Sequence, residues 1–202
     1  MSTTQYLKEK EAFIFELNQV IFPEKDYYLQ VYYLFGQFIE YAEQLNAAEI
    51  VAFMQEYYLK KGTKDIFSKT ARRFNIPEKY QVNFELLLLS ARLPLKLLMF
   101  GEVLKFMQQI VVERKKIFLL VDGNAAMQLN VIKQVEWNGL ENYLTVYFTE
   151  EMGGMTAGLG QILVTHDLEP KSVIFIGKPK MSKKSAIENN IDFAVAEKLF
   201  LS

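Results

Sequence analysis

The chain contains no cysteine, which removes disulfides, thiolate metal centres and a cysteine nucleophile at one stroke and fits a reducing compartment. An excess of charge of one sign is also missing. The 23 Lys and Arg against 24 Asp and Glu leave a formal net charge of -1, so no overall field draws the protein to nucleic acid or to an anionic membrane. Long uncharged apolar runs are absent too. The strongest, FELLLLSARLPLKLLMF at 84–100, is broken by Glu85, Arg92, Pro94 and Lys96, whereas a bilayer span needs about 20 apolar residues. MSTTQYLKEKEAF at the N-terminus carries charges where a signal peptide needs its apolar centre. There is no internal repeat and no low-complexity tract. The expectation is a soluble cytoplasmic protein without nucleic acid or membrane as partner.

Apolar material, by contrast, is plentiful. Half of the 202 side chains are hydrophobic and 14% are aromatic, enough for a buried core in one large domain or in a domain with an insertion. Short apolar runs bounded by polar or turn residues read as buried strands: AFIF at 12–15, KIFLLV at 116–121, LTVYF at 144–148, SVIFIG at 172–177 and a short FAV at 193–195. Helical patterns alternate with them, NAAMQLNVIKQVEW at 124–137 and TAGLGQILVTHDL at 156–168, and GEVLKFMQQIVVERKK at 101–116 leads into the second strand. Such alternation predicts an α/β fold: a three-layer, Rossmann-like parallel sheet with helices on both faces.

Residues 23–95 break this rhythm. Three helical patterns fill them, DYYLQVYYLFGQFIEYAEQL with Asp26 as its expected N-cap, AAEIVAFMQEYYLKK after Asn46, and PEKYQVNFELLLLSARL. An α-helical insertion at 23–95 is therefore expected inside a core formed by 1–22 and 96–202. Tyr27, Tyr28, Tyr32, Tyr33, Phe35, Phe38 and Tyr41 are too many aromatics for one small helical core, and some are expected to line a cleft or a protein contact. Trp137 is assigned to the core. His166, the one histidine, is read as a surface residue, since no Ser or Cys partner stands near it.

Ligands of open parallel sheets bind beyond the carboxyl ends of the strands. Glu16 and Asn18 follow the first strand, Asp122, Gly123 and Asn124 the second, and Gly177, Lys178 and then Ser182 the later one. Glu16, Asn18, Asp122 and Lys178 are thus expected at one mouth, with Gly123, Asn124, Lys178 and Ser182 as ligand-binding candidates. Simpler readings stand beside these: Asp122-Gly123 is also a plain turn signal, and Lys178, Lys180, Lys183 and Lys184 form a solvated basic loop unless they meet a phosphate.

The layout resembles the haloacid dehalogenase superfamily, in its subgroup with a helical cap inserted after the first motif, and the resemblance covers nearly the whole chain. It implies a first motif Asp-x-Asp after the first strand, a Ser or Thr ending the second, a Lys ahead of a helix, and a Gly-Asp strand end whose acids hold magnesium. Glu16-Leu17-Asn18, Asp122, Met155, Lys178 and Ser182 stand at those places. Glu16 moves the carboxylate outward by one methylene, about 1.5 Å, where a misplacement of about 1 Å can cost a hundredfold in rate. Asn18 exchanges no proton as an acid does, Asp122 sets a negative charge where a phosphate would be held, and Lys178 sets an ammonium where a magnesium ligand would be.

The family's four acids, one lysine and divalent ion sum to one negative charge, and Glu16, Asp122 and Lys178 reach the same sum without an ion. The expectation is that Lys178 takes roughly the magnesium position, paired with Glu16 or Asp122, with no cofactor where the family implies magnesium. The function expected is that of a catalytically impaired phosphatase homologue acting by binding a phosphorylated ligand or a protein partner. The alternative is an active hydrolase using Glu16 or Asp122 in an atypical geometry.

Overall fold

A computed structural model describes residues 2–200. In chain order it contains α1 (Thr3–Glu9), β1 (Ala12–Phe15), α2 (Glu24–Glu43), α3 (Ala47–Lys61), α4 (Ile66–Phe74), α5 (Gln81–Ser90), β2 (Leu97–Leu98), α6 (Gly101–Val112), β3 (Lys116–Val121) and α7 (Ala125–Gln134). It continues with β4 (Val135–Glu136), β5 (Leu144–Phe148), α8 (Met155–Thr165), β6 (Val173–Gly177), α9 (Met181–Glu188), β7 (Asp192–Val195) and α10 (Ala196–Phe200). The chain divides into two compact units: one comprises the chain up to Glu24, Leu97–Leu129 and everything from Val135 onward, the other Lys25–Lys96 with Asn130–Gln134.

The first unit is built on a five-stranded sheet in the order β5-β3-β1-β6-β7. Every pairing in it is parallel, with β1 between β3 and β6. All four residues of β1 are buried, which explains why AFIF has no polar alternation: both of its faces are covered. Phe13 and Phe15 meet the ring of Phe106 on α6 edge-on, at centroid distances of 5.5 and 6.4 Å. Ile14 joins Phe118, Leu120, Leu159, Ile162, Phe175 and Ala186 in a core cluster on the opposite face, drawn from β3, β6, α8 and α9.

The five expected strands all form, with β6 beginning one residue later because Pro170–Ser172 is a 3-10 turn. The 124–137 helix pattern ends early: α7 stops at Gln134, and Val135–Glu136 pair in parallel with Leu97–Leu98. Two-residue strands carry too little periodicity to be read from sequence. Trp137 is buried as expected. His166 differs from its surface reading. It is half-buried, its ring lies 4.5 Å from that of Phe118, and its Nε2 is 2.7 Å from the Tyr147 hydroxyl. Burial, with the Lys116 charge as the smaller cause, holds its pKa below the ordinary value.

The helical unit contains α2 to α5. Asp26 is not an N-cap, because α2 starts at Glu24 directly after Pro23. Asn46 does cap α3, its side chain accepting from the Glu49 N–H. Phe84 of α5 is the centre of an aromatic core, with Phe35 edge-on at 5.1 Å and Tyr32 and Phe67 stacked at 6.2 and 5.8 Å. Tyr27, Tyr32 and Phe35 are buried, whereas Tyr33 and Tyr41 are exposed. Gly36 permits the close approach of α3, since a Cβ there would lie 2.6 Å from Val51 Cγ2. Among the described residues no helix is long and apolar enough to cross a membrane.

One charged contact pins the sheet edge. Lys10, buried, places Nζ 2.5 Å from Asp192 Oδ2 on β7 and 2.6 Å from the Lys171 carbonyl oxygen. The hydrogen bond from Lys10, and secondarily the Lys171 ammonium, hold the Asp192 carboxyl below its ordinary pKa. A carboxyl depressed in the folded state adds stability above its unfolded pKa and loses it as pH falls through the folded value. Asp192→Asn should therefore cost on the order of 2 kcal/mol at neutral pH by leaving Lys10 buried without its anion. In urea titrations the gap between variant and wild type should narrow as pH falls below about 4.

Candidate active site

β1 runs out at Phe15, and the next residue is Glu16, whose N–H donates to the Ile176 carbonyl of β6 at 3.1 Å. This last pairing carries Glu16 to the end of the sheet without releasing it to solvent: only 3% of it is exposed. The chain then turns sharply. The Ile21 N–H donates to the Leu17 carbonyl and the Gln19 N–H to the Phe22 carbonyl, with Gln19 in the left-handed region at φ 64°. Leu17, Val20, Ile21 and Phe22 are all buried, and their burial is what closes the turn so tightly. Asn18 sits within it, half-buried and bridged to Phe22.

A buried carboxylate is costly unless its oxygens are satisfied. Glu16 finds its partners on the segment after β6. Oε1 accepts from the Lys178 N–H at 3.1 Å and from the Ser182 hydroxyl, while Oε2 lies 3.6 Å from the Lys178 ammonium. Gly177 makes room for this arrangement, because a Cβ there would run into Oε1 and lie 3.1 Å from Cδ. Lys178 itself keeps 45% of its side chain exposed, so its ammonium stays partly hydrated while neutralising a carboxylate that is almost dry.

Asp122, at the end of β3, is exposed and does not pair with Lys178. Its Oδ1 accepts from the Thr149 hydroxyl at 2.6 Å. Gly123 takes a left-handed φ of 101°, and Asn124 caps α7 by accepting from the Met127 N–H at 3.0 Å. The Ala125 N–H, a first-turn donor of α7, is taken by Glu150 Oε2 at 2.7 Å. A carboxylate of this chain thus occupies the helix end where an outside anion would bind. Met155 begins α8 and packs against the sheet core. Ser182 is buried and serves Glu16.

The structure therefore brings Glu16, Lys178 and Ser182 together, and joins Asp122 instead to Thr149. No hydrogen bond or ion pair among the described residues links Asn18 to Glu16, Asp122 or Lys178. Thr149 and Glu150 were missed from sequence, although they follow β5 just as Asp122 follows β3, and the rule of inspecting strand ends would have found them. Magnesium does not fit these residues. It prefers an octahedral oxygen set, whereas Glu16 spends its oxygens on internal donors beside an ammonium. Among the described residues no three or more His, Asp or Glu side chains could hold a metal ion together.

The fold is that of the haloacid dehalogenase-like hydrolases. A hydrolase from Streptococcus pneumoniae TIGR4 aligns with a TM-score of 0.57 and 13% identity over 92% of both chains. A haloacid dehalogenase-like family hydrolase from Xanthomonas campestris aligns with a TM-score of 0.57 and 14% identity, over 92% of this chain and 82% of that one. The L-2-haloacid dehalogenase from Xanthobacter autotrophicus gives 0.54 and 11%, over 91% and 76%. No protein-family model and no curated protein matches the sequence. At such identities the likeness is one of fold.

Gly177→Ala should destabilise the protein by about 1–3 kcal/mol, because its methyl group displaces the Glu16 carboxylate from three donors at once. Introduced into a Glu16→Ala background, the same change should cost much less. Equal costs in the two backgrounds, measured by chemical denaturation as a double-mutant cycle, would show that Gly177 does not serve Glu16.

Proposed function

We propose that this protein keeps the fold of a haloacid dehalogenase-like hydrolase, no longer transfers phosphoryl groups, and acts by binding a ligand or a protein partner. The observation that carries this reading is the Glu16 carboxylate, buried and held by the Lys178 N–H, the Lys178 ammonium and the Ser182 hydroxyl. A carboxylate so engaged would have to break those contacts to attack phosphorus or to bind a cation, and each lost contact raises the barrier. Asn18, next along the turn, has no acidic proton to give a leaving group. Asp122 would repel an incoming phosphate, and the N–H of Ala125 that could hold one is taken by Glu150.

Counter-charge for an anionic ligand is found elsewhere. Lys178, Lys180, Lys183 and Lys184 are exposed at and just before α9, where a phosphorylated metabolite or an acidic segment of a protein partner would be attracted. The rival reading, an active hydrolase with Glu16 or Asp122 as nucleophile, requires one of them to leave its present hydrogen bonds during each turnover.

Turnover of a generic aryl phosphate decides between the two. Wild type should show none above the buffer rate, with or without magnesium, and magnesium should leave its melting temperature unchanged. Wild-type turnover that vanishes on Glu16→Gln would overturn the proposal. The Glu16→Asp, Asn18→Asp double variant should remain silent as well, because Lys178 and Asp122 still carry the wrong charges.

A further inference from the structure

The helical unit carries its charge unevenly. From residue 26 to residue 59 stand five acids, Asp26, Glu40, Glu43, Glu49 and Glu56, and no base, whereas residues 60–79 hold seven bases against Asp65 and Glu78. Two of the seven are matched, Lys60 with Glu56 and Lys79 with Glu43. Lys61, Lys64, Lys69, Arg72 and Arg73 are exposed and make no ion pair among the described residues. Helical spacing gathers three of these. Lys69, Arg72 and Arg73 stand at i, i+3 and i+4 on α4, a helix without a single acid, and like charges at that spacing repel. The helix dipole favours Arg72 and Arg73 in the last turn but opposes Lys64 ahead of the first.

Aromatic surface lies beside the cations. Phe53 and Tyr57 are half-buried one turn apart on α3, 6.2 Å between ring centroids, and Lys61 follows a turn further along the same stripe. Phe74, half-buried at the end of α4, meets Phe53 edge-on at 5.7 Å. Partly exposed rings flanked by arginine and lysine have the composition of a protein contact. The apolar side of α4 is spent elsewhere: Ile66, Phe67, Thr70 and Ala71 are buried, so this helix has no apolar side left to lay into a bilayer.

The charge distribution also limits the length of the partner. Outside residues 60–79 the chain has 16 bases against 22 acids, so a long polyanion such as duplex nucleic acid, or an extended anionic surface, would run past the basic stretch into net repulsion. A short acidic segment stays within it. Phe53 and Lys61 are separated by about 12 Å along α3, which about four extended residues or two helical turns would cover. We infer that the corner of α3 and α4 docks a short segment of a partner protein in which carboxylates alternate with apolar side chains. Lys61, Lys69, Arg72 and Arg73 take the carboxylates, and Phe53, Tyr57 and Phe74 take the apolar groups. This surface belongs to a different unit from Lys178 and α9, and the inference does not depend on the loss of phosphoryl transfer.

Isothermal titration with two peptides of about ten residues tests it, one alternating glutamate with leucine and phenylalanine, the other carrying glutamine in place of every glutamate. The acidic peptide should bind saturably, and its glutamine counterpart at least about tenfold more weakly, the loss expected for one charge-assisted contact. Raising salt from about 0.01 to about 1 M, which shortens the screening length from about 30 to about 3 Å, should weaken the acidic peptide by a similar factor. The triple variant Lys69→Glu, Arg72→Glu, Arg73→Glu alters exposed side chains alone, so it should keep its melting temperature and lose the peptide. Lys69→Gln, Arg72→Gln, Arg73→Gln should weaken it as well, and carries the test if charge reversal costs folding. Lys183→Glu with Lys184→Glu on α9 should leave binding unchanged, so loss of the peptide there, with binding retained in a folded triple variant, would overturn the inference and point to α9. Absence of saturable binding by the acidic peptide at millimolar concentration would also overturn it. So would equal binding by the glutamine peptide, or tighter binding by a DNA duplex or by phosphatidylserine vesicles.

Discussion

The arrangement at the mouth of the sheet depends on one constraint: a carboxylate at the end of the central strand that the fold does not release to water. Glu16 is held in the interior by the Ile176 carbonyl behind it and by the buried turn Leu17–Phe22 ahead of it. Once there, it must be neutralised, since an unpaired buried charge costs several kcal/mol. The neighbouring strand end meets that demand. Gly177 withdraws its side-chain volume, Lys178 brings an amide and an ammonium, and Ser182 adds a hydroxyl. Residues that look independent along the chain, Gly177, Lys178 and Ser182, are thereby one solution to a single electrostatic problem.

The second strand end is solved separately. Asp122 is exposed and needs no cation, so a hydroxyl from Thr149 is enough for it, and Glu150 beside Thr149 reaches the start of α7. Opposite charge alone does not decide which partners meet. Lys178 is tied through its own backbone amide to Glu16, and this fixes the direction from which its side chain leaves the strand. The expectation that it would choose between Glu16 and Asp122 is thus resolved by main-chain geometry in favour of Glu16.

Much of the sheet was legible because a parallel sheet covered on both faces needs short, fully apolar strands, and AFIF, KIFLLV and VIFIG have no other reading as convincing. The helix ends were less legible. The 101–116 pattern stops at Val112, where Arg114 turns left-handed, and the 124–137 pattern gives up its last residues to a short ladder with Leu97–Leu98. In the second place the tertiary pairing overrides a helical pattern that continues in the sequence, whereas α6 ends locally, with the Arg114 N–H donating to the Val111 carbonyl and the Lys115 N–H to the Ile110 carbonyl. The His166 environment was hidden for a similar reason, since Phe118 and Tyr147 lie far from it along the chain.

The sequence by itself determined the order of strands and helices and the residues that stand at the strand ends, because hydrophobic periodicity is a local property that each segment carries within itself. Only the tertiary structure decided that Glu16 belongs to Lys178 and Ser182 and that Asp122 belongs to Thr149. Those pairings join residues up to 166 positions apart, and distance through space, which alone sets hydrogen bonds and ion pairs, is written nowhere in the order of the chain.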